Sequence, residues 1–141
     1  MCPLVSNKEH TKQKEMNTKA NSPEEICKLF RKHMANGDIE ALLSVYDDEA
    51  VFMNKTGELK TGREGIREEL MPFAKQKANF SYQIKRVIQS GDIALMHTYW
   101  DVPSPEGTRK QYAIEVARRQ PDNSWRWLIG DPFTVGIPYP F

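Results

Sequence analysis

The hydrophobic period changes near Asn79, and that change limits the fold more than any other feature of the chain. Before it, apolar residues recur three and four apart: Ile26, Leu29, Phe30, His33 and Met34 share one helical face, and Ile39, Leu42, Leu43 and Tyr46 repeat the spacing. After it, apolar and polar residues alternate over runs at about 79–90, 92–102, 108–119 and 124–135. The breaks between the runs are Ser90-Gly91, Pro103-Ser104-Pro105-Glu106-Gly107 and Pro121-Asp122-Asn123. Helices followed by a meander of strands predict an α+β domain, with the helices on one face of a curved antiparallel sheet.

Local signals sharpen the helical half. Ser22-Pro23-Glu24-Glu25 is a capping box with proline at the first helical position, and Gly37 closes that helix. Asp47, Asp48 and Glu49 are expected to cap and solvate a turn between the second, short helix and a strand at Ala50–Met53. Thr56-Gly57 marks a turn, and Thr61-Gly62-Arg63-Glu64 a second capping box, opening a third helix through Ile66, Leu70 and Phe73 that Pro72 should kink or end. Residues 1–20 are polar, carry Lys8, Lys12, Lys14 and Lys19, and read as a tail within which Met16 is an alternative start. A single domain over 21–137 follows, then a short tail at 138–141; 141 residues suit one hydrophobic core.

Composition removes several function classes. Net charge is +1, and Lys and Arg are scattered among acids without a basic stripe, so a nucleic-acid partner is not expected. No apolar run spans a bilayer, and MCPLVSNKEHTKQ lacks a signal peptide's apolar segment. Cys2 and Cys27 have no Cys or His at metal-ligand spacing, which fits a reducing cytoplasmic setting and neither metal nor organic cofactor. Ser44, Ser81, Ser104 and Cys27 lack an activating pattern.

The segments GDIEALLSVYDDEAVF (Gly37–Phe52) and TGREGIREEL (Thr61–Leu70), set before the meander, resemble the nuclear transport factor 2-like superfamily. Ketosteroid isomerases, scytalone dehydratase and SnoaL-like cyclases belong to it, and the late IGDPFTVG is similar to its bacterial branch. The resemblance implies a cone-shaped barrel of strongly bent sheet closed by helices, a pocket at the wide end, and frequent homodimers. It also exposes departures from the isomerases. Their base aspartate falls on Asn54, their first-helix tyrosine on Phe30 and a supporting tyrosine on Leu70; a second tyrosine is kept as Tyr46, and an oxyanion-hole carboxyl falls on Glu115. Steroid isomerisation by the isomerases' route is therefore not expected.

Alternation along the last strands suggests which side chains meet. Leu95, His97, Tyr99 and Asp101 share one face of their strand, and Gln111, Ala113, Glu115 and Ala117 one face of the next. A hairpin loop centred near Pro105 to Gly107 would set His97 opposite Glu115 and Tyr99 opposite Ala113, whereas a slip of one residue would separate them. That register gives a face holding His97 and Glu115, which alternation alone leaves as either a pocket wall or a solvated outer face. The resemblance, whose carboxyl position points into the cone, implies a pocket wall with His97 and Glu115 as a coupled acid and base. Phe30, Tyr46, Asn54, Tyr99, Asp101 and Asp131 would contact a small apolar ligand bearing a carbonyl or hydroxyl. Met96, Trp100 and Val102 would then join Tyr112, Ile114 and Val116 on an outer face covered by a second copy. His33 is expected in the core or at the pocket rim, Trp125 and Trp127 in the core or an interface, and Arg118-Arg119 at a strand end in solvent. The competing reading is a non-catalytic dimeric module with a filled pocket, which a cavity below about 100 Å³ would favour.

Overall fold

The computed structural model describes residues 19–135. The expectations about Met16, most of the N-terminal tail and residues 138–141 lie outside them. Ala20, assigned above to the tail, is buried, and its carbonyl accepts the Trp125 amide at 2.9 Å.

Helix α1 spans Pro23–Asn36 and starts as its sequence predicts: Ser22 Oγ accepts the Glu25 amide at 3.3 Å, and Glu25 Oε2 accepts the Asn21 amide at 2.9 Å. It ends at Gly37, whose φ of 68° only glycine adopts freely; a Cβ there would lie 3.0 Å from the Ala74 carbonyl oxygen and from Lys77 Cγ. Helix α2 is short, Ile39–Leu43, capped by Asp38, whose Oδ1 accepts the Ala41 amide at 3.1 Å. Tyr46 does not extend it but opens strand β1, Tyr46–Met53, followed by β2, Leu59–Thr61. Helix α3 spans Gly62–Lys75; Thr61 makes no side-chain cap, and the helix runs three residues beyond Pro72. Its buried residues, Ile66, Leu70 and Ala74, recur at helical spacing.

Strands β3 (Ser81–Ser90), β4 (Ile93–Ser104), β5 (Gly107–Arg119) and β6 (Trp125–Asp131) form the expected meander. The six-stranded sheet has the order β2-β1-β6-β5-β4-β3. Every pair is antiparallel except β1 with β6, so the sheet is mixed, and it does not close into a barrel. The three helices pack on the sheet around one core that includes Ile26, Met34, Leu42, Ile66, Met96 and Trp127. Among the described residues, no helix is long and apolar enough to cross a membrane.

The acid-rich segment differs from its expectation. Asp47 lies in β1 and is 3% exposed; its carboxylate accepts Arg118 Nη2 at 2.8 Å, Arg118 Nε at 3.1 Å and Gln120 Nε2 at 2.8 Å, while also taking the Glu49 amide. Arg118 is therefore a tether between β5 and β1 and not a solvated strand end. Burial by itself would raise the Asp47 carboxyl, but the hydrogen bonds from Arg118, the Glu49 amide and Gln120 outweigh it and bring the carboxyl down to about 2.

Candidate active site

Between the helices and the inner sheet face lies a cavity of about 90 Å³, whose walls are mainly aromatic. Phe30 of α1 is their centre: its ring lies 5.2 Å from Trp100, 5.5 Å from Trp127 and 5.6 Å from Phe80. Tyr46, 5.6 Å from Trp127, continues the wall, and Phe52, Leu70 and Phe73 complete it. Ala113 lines the cavity as well. In this measure one water needs about 10–15 Å³, so the cavity holds several waters or the buried part of a small ligand.

The turn between β4 and β5 decides which side chains reach this space. Ser104 pairs with Gly107, leaving only Pro105 and Glu106 in the loop, and Gly107 adopts φ 114°. The register is thereby one residue away from the expected one: Met96 opposes Glu115, His97 opposes Ile114, and Tyr99 opposes Tyr112. A one-residue slip exchanges faces. Met96, Thr98, Trp100 and Val102 consequently point inward with Gln111, Ala113 and Glu115, while Leu95, His97, Tyr99 and Asp101 lie on the outer face.

Half of the expected pocket wall is thus corrected. His97 does not meet Glu115; its Nδ1 and the Tyr112 hydroxyl form a hydrogen bond of 3.1 Å on the outer face. Tyr99 stacks edge-on against Tyr112 at 5.0 Å, and Asp101 accepts from Ser81 Oγ and Lys110 Nζ, both at 3.1 Å. Asn54 is buried, yet it serves the turn after β1. Its Oδ1 accepts the Thr56 amide, the Thr56 hydroxyl and the Glu58 amide, and its Nδ2 donates to Glu69 at 2.8 Å. Phe30, Tyr46, Asp131 and Glu115 do line the cavity. Asp131 stands at its mouth, with Oδ1 accepting the Thr134 amide at 3.2 Å. His33 is buried in α1 away from the cavity lining, and burial lowers its proton affinity.

Glu115 is the chemical centre of what remains. It is 6% exposed, and its Oε1 accepts the Thr98 hydroxyl at 2.6 Å. Trp100 Nε1 in turn donates to Thr98 Oγ1 at 2.8 Å. An indole N–H can only donate, so Thr98 must accept from it and aim its own hydrogen at the carboxyl. Burial pushes the Glu115 carboxyl up to about 7, against the Thr98 and Trp100 donors, which pull it down. The same burial, reinforced by Glu115, holds the Tyr46 phenol well above its ordinary value. Sequence alternation put Gln111 on the Glu115 face but did not single out Thr98 or Arg109, and it set Trp100 on the outer face. The usable signal was the almost wholly apolar set Met96, Trp100 and Val102, which marks a buried face better than a face with His97 and Asp101 does.

Residues 28–120 match the family described as SnoaL-like domain. The chain belongs to the SnoaL-like family. This is a family of ligand-binding and isomerase- or cyclase-type proteins on the nuclear transport factor 2-like fold. Among solved structures, a putative ketosteroid isomerase from Parabacteroides distasonis is 22% identical, covers 82% of this chain and 93% of its own, and superposes with a TM-score of 0.62. A ketosteroid isomerase-like protein from Erwinia carotovora atroseptica is 19% identical over 77% of this chain and 89% of its own, at 0.57. A putative calcium/calmodulin-dependent protein kinase type II association domain from Thiobacillus denitrificans is 15% identical over 80% and 96%, at 0.65. At such identities the likeness is one of fold. No functionally curated protein matches the chain in sequence.

Proposed function

We propose that this SnoaL-like domain binds a small, largely apolar ligand in its aromatic cavity and that Glu115 exchanges a proton with it, without metal or organic cofactor. The observation that carries the reading is the Glu115 carboxyl, buried in the cavity wall with a proton affinity near 7, where acid and base forms coexist. A purely structural core has no use for such a group, whose burial costs stability. Oε1 is engaged by Thr98, so Oε2 is the oxygen left to give or take the proton. An isomerase- or lyase-type proton shift beside a ligand carbonyl suits this arrangement, and the family and the isomerase-like neighbours support it. At about 90 Å³ the cavity is too small for a steroid.

Cyclohexanone, a small neutral ketone, tests both halves of the reading. Binding should move the Trp100 and Trp127 indole N–H resonances, and Glu115 should speed exchange of the ketone's α-hydrogens in D₂O over the Glu115→Gln variant. Neither effect at millimolar ketone sinks the reading. The second reading, a non-catalytic module, is favoured by the volume, which falls just under the 100 Å³ mark; unmoved indoles would select it.

We further propose a homodimer through the outer sheet face, within a cytoplasmic protein. Ile88, Leu95, Val116, Ile129 and Val51 lie side by side across five strands, with Ile88 51% and Ile129 42% exposed. Sedimentation should give a dimer at micromolar concentration that Ile129→Lys dissociates. A monomeric parent chain refutes the pairing.

A further inference from the structure

Arg109 sits at the cavity mouth on the same inward-facing edge of β5 as Gln111, Ala113 and Glu115. Its guanidinium carbon lies 5.9 Å from the Phe133 ring centre, and its Nε is buried with no hydrogen-bond partner among the described residues. Other arginines differ. Arg63, Arg67, Arg118, Arg119 and Arg126 each have a carboxylate within 4.0 Å, and Arg31 and Arg86 are exposed. A half-buried guanidinium with no carboxylate at ion-pair distance among the described residues is costly unless something else supplies one. Glu69 and Asp131 also line the mouth, but Glu69 accepts from Asn54, Asp131 accepts from Thr134, and neither lies within ion-pair distance of Arg109. Trp127, another wall residue, likewise has an indole Nε1–H with no partner.

We infer that Arg109 is a specificity-determining residue, which receives the carboxylate of a small organic acid whose apolar body enters the aromatic cavity toward Glu115. The inference deepens the proposed function and rests on it. Guanidinium is suited to the task because its planar fork matches a carboxylate, and the Phe133 ring lies over it at 5.9 Å. β5 would then present a track running from cation at the mouth, through the Gln111 amide, to the proton-exchanging carboxyl inside. The ligand would be anionic at one end and neutral at the other.

Two probes of nearly equal shape, 3-phenylpropionate and 3-phenylpropanamide, decide the matter by titration of the Trp100 and Trp127 indole N–H resonances. The parent chain should bind the anion at least tenfold more tightly than the amide, with the preference shrinking as salt is raised. Arg109→Gln should abolish the preference, and Arg109→Lys should restore part of it. Equal binding of the two probes by the parent chain overturns the inference and leaves the cavity reading standing, as does a preference that survives in Arg109→Gln. If neither probe binds, both fall.

Discussion

Replacing Glu115 by glutamine removes a buried group whose ionisation should oppose folding at neutral pH. The side chain keeps its shape and its Oε1 can still accept from Thr98 at 2.6 Å. The carboxyl titrates at about 7 in the folded chain against an ordinary 4.5, so the folded state is the stronger proton binder. Its contribution is therefore fully present below pH 4.5 and is lost as pH rises through about 7, an interval worth about 3 kcal/mol. Glutamine has no such titration. At pH 4 the two proteins should differ by less than about 0.5 kcal/mol; at pH 8 the variant should be more stable by about 3 kcal/mol, roughly 10 °C in Tm for a domain of this size. Urea unfolding at pH 4, 6 and 8, followed by the fluorescence of Trp100, Trp125 and Trp127, measures the difference directly, and groups common to both chains cancel. Parallel stability profiles for the two proteins across this range would mean that Glu115 is solvated, and the proposed site would lose its acid.

Asp47→Asn should act in the opposite pH range. A carboxyl held at about 2 contributes stability above its ordinary 3.8 and loses it as pH falls through 2, so the variant should lose about 2 kcal/mol at pH 7 and little at pH 2 in thermal melts. Thr98→Val removes the hydroxyl that donates to Glu115 while keeping the volume. The Glu115 carboxyl should then titrate above 7 by ¹³C NMR; a midpoint that falls or stays put contradicts the hydrogen-bond relay. His97→Ala, on the outer face, should leave cyclohexanone exchange and its pH dependence unchanged, and a loss would restore His97 to the mechanism.

The legible parts of the chain are those governed by neighbours in sequence. Ser22 and Gly37 mark their helix ends because caps act over three or four residues. Glu115 and Ala113 reach the cavity as expected, since alternation within β5 puts them on one face and the resemblance, with its inward carboxyl, chooses that face. The error enters where two strands are aligned. A five-residue break that looked like a loop, Pro103 to Gly107, turns with two residues and pairs the rest, and that difference of parity carries His97, Tyr99 and Asp101 outside. Asp47 was misread for a related reason. Its partner Arg118 is 71 positions away, so nothing local distinguishes a tethered carboxylate from a solvated one. The parallel pairing of β1 with β6, which sets Phe52 beside Gly130, is equally non-local.

Strand β3 ends the sheet, and a terminal strand normally offers its free backbone groups to any similar chain. Here the offer is broken halfway along: the register shifts between Ile84 and Arg86, and Lys85 and Arg86 are exposed beside the shift. The opposite margin is β2, only three residues long. Ribbon-like growth from either margin is thus opposed, so the sheet of this molecule should not extend from copy to copy into fibres.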